Sequence, residues 1–387
     1  MSEPEVVISQ HGAGRLLAGH LWVYRSDIQR AAAEGGDAVR VVDERGRFFG
    51  QAFFSDSSEI CIRVVTREDV PIDRAFLTER IRRATRLRQP MLDASQTYRL
   101  FYAESDQIPS LIIDRYSDYL VIQTLSQATE RRKEMFVDIL VELFSPLGIL
   151  ERNDPKVRQL EGLDQKVSLL YGEVPEEVVA CENGLQIAYD LYHGQKTGGF
   201  LDQRQNRKAA ARYARGEILD CFTGAGLFAV NLASRAQRIE AIDLSPTALA
   251  GARRNLELNH LGNVSLREAN AFDALRSYDE AGMRFDMIVL DPPAFAKNKR
   301  NVTAACRGYK EINLRSLRLL RPEGFLVTCS CSHHIPEALF AQILGEAALD
   351  AHRHVTIIER RSQASDHPVL LAMPETYYLK MFILNVL

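Results

Sequence analysis

Glu217-Ile218-Leu219-Asp220-Cys221-Phe222-Thr223-Gly224-Ala225-Gly226-Leu227 decides the fold. A short apolar run ends on an acid, a glycine turn follows, and a helical pattern opens at Leu227. A second unit of the same kind comes directly after it. Ile239-Glu240-Ala241-Ile242-Asp243 reads as a strand, and Ser245 and Pro246 read as the N-cap and first position of a helix ending near Gly262. Further strands are expected at Val264–Arg267, Phe285–Leu290 and Phe325–Thr328, with a helix around 308–320 between the last two. Strand and helix in alternation mark a doubly wound parallel sheet. The tail Tyr377–Leu384 alternates and is expected to add an antiparallel edge strand.

The pattern differs toward the N-terminus. Residues 1–72 read as short strands (Val6–Ile8, Ala38–Val42, Phe48–Phe53, Ile60–Thr66) separated by glycine turns, a β-rich module. Within it, His11-Gly12-Ala13-Gly14-Arg15-Leu16-Leu17-Ala18-Gly19-His20-Leu21-Trp22-Val23-Tyr24 resembles the opening of a PUA domain, an RNA-binding pseudobarrel. Residues 73–185 carry an Arg-rich helix (73–89), strands at Ser110–Asp114 and Tyr119–Thr124, a second helix (130–144) and strands at Val167–Leu170 and Leu185–Tyr189, a central α+β domain. The expected class is therefore α/β, with the Rossmann-like sheet in 186–387.

At 387 residues and 46% hydrophobic content, the chain is long enough for two or three domains, each with its own core. No run approaches the roughly 20 apolar residues of a membrane span, and Met1-Ser2-Glu3-Pro4-Glu5 lacks the basic start of a signal peptide, so a cytoplasmic protein is expected. The six cysteines show no C-x-x-C pair, which argues against zinc and against a disulfide framework. A net charge of −3 excludes a globally basic nucleic-acid binder. Local basic clusters remain at Arg80, Arg82, Arg83, Arg86 and Arg88, at Arg131-Arg132-Lys133, and at Lys297-Asn298-Lys299-Arg300. Any one of these is more readily a solvated helix face.

Gly224-Ala225-Gly226-Leu227-Phe228-Ala229 fits G-x-G-x-x-G/A, and Asp243 follows where a ribose-binding acid belongs. NAD and S-adenosylmethionine enzymes share that need for a close backbone approach and a ribose carboxylate. Two residues favour S-adenosylmethionine. Asp220 would repel a pyrophosphate but accepts from the amine of a methionyl group, and Asn270 is placed for an adenine edge. The competing reading gives both only a turn-capping role.

Asp291-Pro292-Pro293-Ala294-Phe295 ends one strand, and Cys329-Ser330-Cys331 ends the next. Ligands of open α/β sheets bind outside the carboxyl ends of the strands. A carboxylate, the carbonyls of a proline-stiffened turn and an aromatic ring suit a nucleobase read through its Watson–Crick edge. A thiol beside them adds covalent chemistry: thiolate attack at carbon 6 of cytosine makes carbon 5 nucleophilic enough to take a methyl group. His333 or His334 is expected to help ionise it. Strand alternation puts Cys329 and Cys331 on the same side, so spacing does not choose between them.

With these residues in view, nearly the whole chain resembles the bacterial 23S rRNA cytosine-carbon-5 methyltransferases that join a PUA domain, a central α+β domain and a class I S-adenosylmethionine-dependent methyltransferase domain. The PUA opening, Lys196-Thr197-Gly198-Gly199-Phe200-Leu201-Asp202-Gln203-Arg204, the glycine turn, Asp291-Pro292-Pro293 and Ser330-Cys331-Ser332 carry the resemblance. It implies that Cys331 rather than Cys329 is the nucleophile, with Asp291 holding the base. It also implies that the lysine-to-arginine stretch lies over the cofactor. The expected cofactor contacts are then Thr197, Asp202, Gln203, Arg204, Asp220, Phe222, Gly224, Gly226, Asp243, Asn270 and Asp291, with Pro292, Pro293 and Phe295 against the base. Ala294 stands where two-cysteine RNA cytosine methyltransferases carry a second cysteine, which leaves open what assists release of the adduct. The expected partner is 23S rRNA, naked or in a large-subunit precursor, with no membrane and with a homodimer as candidate assembly. The alternatives are an N6-adenine or N2-guanine amino-methyltransferase using Asp291-Pro292-Pro293, an NAD-dependent oxidoreductase, and a non-catalytic RNA-binding protein.

Overall fold

In the computed structural model, which describes residues 4–92, 95–296 and 298–387, the chain divides into two compact units. The first comprises the chain through Ala180 with Tyr189–Leu201 and Ser365–Thr376. The second comprises Cys181–Ala188, Asp202–Ala364 and Tyr377–Leu387. Among the described residues no helix is long and apolar enough to cross a membrane.

The first unit holds two sheets. One has six strands in the order Trp22–Tyr24, Ile60–Thr66, Phe48–Phe54, Ala38–Asp43, Glu5–Ile8, Ile28–Ala31. Its core is built from Val6, Ile8, Leu16, Val39, Val41 and Ile62. The glycine-rich segment from His11 forms a helix, Gln10–Leu17, capped by Ser9 accepting from the Gly12 amide at 3.1 Å. A methyl at Gly12 would come within 3.1 Å of Asp27 and Val23, so the close approach explains that glycine. The other sheet has five strands in the order Lys166–Gly172, Gly148–Asn153, Tyr119–Thr124, Leu111–Tyr116, Thr97–Tyr102. The helices Arg74–Arg88 and Lys133–Phe144 pack on it through Leu77, Ile81, Phe136, Ile139 and Leu140.

The basic clusters fare unequally. Arg82, Arg83 and Arg86 are exposed, but Arg88 is fully buried and pairs with Asp106 at 2.7 Å. Arg131 and Lys133 are likewise in ion pairs, with Asp37 and with Glu130 and Glu151, while Arg132 donates to the Gly36 carbonyl. Lys297 and the side chain of Lys299 lie outside the described residues, as do Met1, Ser2 and Glu3.

The second unit is a seven-stranded sheet. Its strands are β1 (Glu217–Cys221), β2 (Arg238–Asp243), β3 (Val264–Glu268), β4 (Phe285–Leu290), β5 (Leu320–Ser330), β6 (Val355–Arg361) and β7 (Lys380–Val386), in spatial order β3-β2-β1-β4-β5-β7-β6. β1 to β5 are parallel and β7 is antiparallel to both its neighbours. The tail strand is therefore antiparallel as expected but not at the edge. β6 lies outside it, which explains why β7 is buried on both faces from Lys380 to Leu384.

The helices in order are α1 (Arg204–Ala211), α2 (Leu227–Leu232), α3 (Pro246–Leu258), α4 (Ala271–Glu280), α5 (Val302–Leu319) and α6 (Glu337–Asp350). Ser245 caps α3 by accepting from the Ala248 amide at 3.2 Å, with Pro246 at the first position as read from the sequence. Leu219, Ile288, Leu290 and Leu326 pack under α4, α5 and α6. The alternate residues Ile218, Met287, Val289, Val327 and Cys329 pack under α1 and α2. Strand order reverses between β1 and β4, so the crevice at their carboxyl ends is the switch point where such sheets bind ligands.

Candidate active site

The turn after β1 is backbone-determined. Phe222 takes φ +61°, Gly224 +56° and Gly226 +74°, the last serving as N-cap of α2. A left-handed phenylalanine is a sparsely populated conformation, and such strain clusters at functional sites. It is held by the Thr223 amide donating to the Ile242 carbonyl at 3.0 Å. Asp243 accepts from the amides of Gly224 and Ser245, both at 2.9 Å, which ties the turn to the end of β2.

The two glycines differ in what they face. A methyl at Gly226 would sit 2.9 Å from the Ala252 Cβ, whereas one at Gly224 would meet nothing within 4 Å. Gly226→Ala should therefore cost about 1–3 kcal/mol of stability in urea unfolding. Gly224→Ala should cost about 1 kcal/mol and instead weaken S-adenosylmethionine binding tenfold or more by calorimetry, its methyl filling the cradle. Equal stability losses with unchanged affinity would refute this division.

Asp220 is 1% exposed. Its Oδ2 accepts from the Thr223 hydroxyl at 2.6 Å and the Ala229 amide at 3.1 Å, while Oδ1 is buried with no hydrogen-bond partner among the described residues. Burial, opposed by the Thr223 hydrogen bond and reinforced by the charges of Asp291 and Asp243, pushes this carboxyl up to about 7. An orphaned oxygen in that setting calls for a donor, and the ammonium of a methionyl group is one. Asn270 is exposed and caps α4, its Oδ1 accepting from the Phe272 amide at 2.9 Å.

The segment from Lys196 to Arg204 is divided. Thr197 belongs to the first unit, where its hydroxyl donates to Asp114 at 2.6 Å and meets the Tyr116 hydroxyl at 2.9 Å. Asp202, Gln203 and Arg204 belong to the second and are all buried. Asp202 accepts from the Tyr378 hydroxyl at 2.6 Å. Gln203 is held by Asn206 at 2.7 Å and donates to Asp291 Oδ1 at 2.9 Å, fixing that carboxylate at the rim. Arg204 opens α1, and its carbonyl accepts from Asn183 at 3.0 Å.

The loops after β4 and β5 meet. The Ala296 amide donates to the Ser332 hydroxyl at 3.2 Å, which also bonds the buried Tyr309 hydroxyl at 2.9 Å. Pro292 is buried and Pro293 exposed. Phe295 is half-buried, packed against Tyr309 and Phe272 with centroids 4.6 and 5.9 Å apart, so part of its ring is already committed to an aromatic cluster. Cys329 is the last apolar contact of the β5 ladder, fully buried beside Asp291 and Gln203, and burial holds its thiol well above the usual range. β5 ends at Ser330, so Cys331 leaves the ladder. Its half-buried thiol lies 3.9 Å from the Pro292 carbonyl. The end of the strand thus distinguishes two cysteines that alternation leaves equivalent.

His333 is exposed, and its ring lies 5.6 Å from that of His334. The residue that sequence reasoning missed is Lys380 at the start of β7. Its buried Nζ donates to the carbonyls of Ser332 and Tyr378, both at 2.8 Å. A lone lysine followed by the apolar run Met381 to Leu384 was the available signal.

A PUA-like domain model matches residues 6–67, and an S-adenosylmethionine-dependent methyltransferase model matches 158–373. The chain is 42% identical over 383 residues to the ribosomal RNA large subunit methyltransferase I of Tolumonas auensis, covering 96% of each. It is 43% identical over 377 residues to the protein of that name from Shewanella amazonensis, covering 95% of each. Among solved structures, a methyltransferase complexed with SAH matches with TM-score 0.85 at 22% identity, over 99% of this chain and 100% of that one. That likeness supports the fold. The methyltransferase match removes the NAD-dependent oxidoreductase alternative, and S-adenosylmethionine is the cofactor. The chain belongs to the ribosomal RNA large subunit methyltransferase I family of S-adenosylmethionine-dependent methyltransferases.

Proposed function

We propose that this protein methylates carbon 5 of a cytosine in 23S rRNA through a covalent adduct on Cys331. The observation that carries the reading is the Cys331 thiol, freed from the β5 ladder and set against the Pro292 carbonyl at the Asp291 turn. In this reading residues 1–72 are the RNA-binding PUA-like module, 73–185 a central domain and 186–387 the catalytic domain, working in the cytoplasm. The relatives' names carry ribosomal RNA of the large subunit as the substrate class.

The cofactor when bound supplies an electrophilic methyl group on a sulfonium. Asp220 is suited to its ammonium, Asp243 to ribose hydroxyls and Gly224 to a close backbone approach. Asn270 is suited to the adenine edge, and Asp202, Gln203, Arg204 and Phe222 complete the proposed cofactor set. Asp291, held by Gln203, accepts from the amine of cytosine and shares a proton with ring nitrogen 3, with Pro292, Pro293 and Phe295 walling the base. Cys331 thiolate adds to carbon 6, and the ring pair displaced by that bond makes carbon 5 the nucleophile for methyl transfer. Loss of the carbon 5 proton to a base then returns its pair to the ring, and the thiolate is expelled.

Mass mapping of rRNA nucleosides from cells with and without the protein tests the product. The expected result is loss of a single 5-methylcytidine from 23S rRNA. Loss of N6-methyladenosine or N2-methylguanosine instead would establish the amino-methyltransferase reading.

A further inference from the structure

Lys380 is the register partner of Ser330, the last residue of β5, so its backbone is fixed one residue from Cys331. Its side chain is 2% exposed, and its two hydrogen bonds go to neutral carbonyls. Among the described residues Nζ makes no ion pair within 4 Å. An ammonium buried beside carbonyls alone is costly, and buried charges are ordinarily paired. The groups that face it are the Cys331 sulfur and the Glu337 carboxylate, both opposing the burial that pushes Lys380 down to about 8. Glu337, on α6, is itself engaged by the Tyr377 hydroxyl at 2.6 Å and by Arg360 at 3.9 Å. Among the described residues, the other titratable groups around Cys331 include Cys329 on β5, Asp291 on the β4 loop, Tyr309 on α5, and His333 and His334 just beyond it. Of these only the histidines can carry positive charge, and they follow Cys331 on its own loop.

We infer that Lys380 is a positioning residue for the nucleophile: it fixes the Ser332 and Tyr378 carbonyls around the β5 loop, and its charge stabilises the sulfur anion of Cys331. The inference deepens the covalent reading proposed above and rests on it for its role in catalysis. The proton leaving Cys331 goes to water, and Lys380 stays an ammonium while the thiolate adds to the base and again when it is expelled. Its work is electrostatic, as in other activated thiols beside a cation.

The test is the pH dependence of Cys331 alkylation by iodoacetamide in the intact protein, followed by mass spectrometry of the Cys331 peptide because five other cysteines are present. Lys380→Met should raise the midpoint by about one unit, slowing alkylation at neutral pH roughly tenfold, and displace the acid limb of the methylation pH profile equally. Lys380→Arg should restore most of both. An unchanged midpoint in Lys380→Met overturns the inference. Should that variant not fold, Lys380→Gln, whose amide can still donate to the Ser332 and Tyr378 carbonyls but carries no charge, should raise the midpoint likewise, and no shift there overturns it too. A shifted midpoint together with a Cys331→Ala protein that still methylates would sink the covalent reading while leaving the hold on the thiol standing. An inactive Cys331→Ala with an unmoved midpoint would sink only the role of Lys380.

Discussion

Cys331→Ala should bind S-adenosylmethionine as the unaltered protein does and lose methyl transfer by about 10⁴-fold or more, the scale seen when a covalent nucleophile is removed. Carbon 5 of cytosine is too weak a nucleophile to take a methyl group without prior addition at carbon 6, so no slower version of the same route remains. The thiol is half-buried on a loop held by Ser332 and Tyr309, so the substitution removes few packing contacts and the fold should persist. Cys329→Ala makes the control. Its thiol lies in the core under α1 and α2, so it should cost stability, about 1–2 kcal/mol, and leave most of the turnover. RNA carrying 5-fluorocytosine at the target sharpens the test, because fluorine at carbon 5 leaves no proton to remove and the adduct cannot eliminate. A protein–RNA band surviving denaturing electrophoresis should form with the unaltered protein and be absent with Cys331→Ala. Turnover retained by Cys331→Ala would overturn the mechanism and favour amino-group methylation.

The strands that built the sequence reading were those with an apolar centre between clear turn signals. β1, β2 and β4 carry adjacent apolar residues (Ile218-Leu219, Ala241-Ile242, Met287 to Leu290) because a parallel strand is covered on both faces, and the acids Asp220, Asp243 and Asp291 near their carboxyl ends marked where they stop. Strands whose interior charge is met by partners far away in the sequence were not legible. Gly148–Asn153 is buried throughout, yet it contains Glu151 and Arg152. Their charges are absorbed by Lys133 at 2.8 Å and by the Leu191 and Gly194 carbonyls, partners distant in sequence. Thr97–Tyr102 hides Arg99 in the same way, through a fork onto Asp114. α6 was missed because its apolar residues are not confined to one stripe, leaving Leu349 exposed. At the site, the acid, the turn and the thiol were legible as local motifs. Lys380 and the Gln203 to Asp291 hydrogen bond were not, since each joins segments far apart in the chain.

Asp220→Asn should make the second unit more stable at alkaline pH while removing its cofactor. The carboxyl has an ordinary value of 3.8 and is pushed up to about 7 in the folded protein, chiefly by burial. A raised carboxyl favours folding fully below the unfolded value, and that contribution is lost as pH climbs through about 7, where the buried group must ionise. At pH 8 the ionised Asp220 therefore costs of order 2–4 kcal/mol in the cofactor-free protein. Asparagine has nearly the same shape, and its carbonyl oxygen can accept from the Thr223 hydroxyl and Ala229 amide that Asp220 Oδ2 now serves. The variant's urea midpoint should exceed that of the unaltered protein at pH 8, and the two should converge below about pH 4, where both side chains are neutral in either state. Cofactor binding should move the other way. Without a carboxylate opposite the methionyl ammonium, affinity should fall by about 10²-fold or more. In the unaltered protein, affinity should weaken as pH falls below about 7, and binding near neutrality should release a proton, visible as a buffer-dependent heat in calorimetry. Stability is spent at Asp220 in the empty protein so that the ammonium finds an uncompensated anion waiting. A variant less stable at pH 8, or one that binds the cofactor undiminished, would show instead that Asp220 serves only the turn.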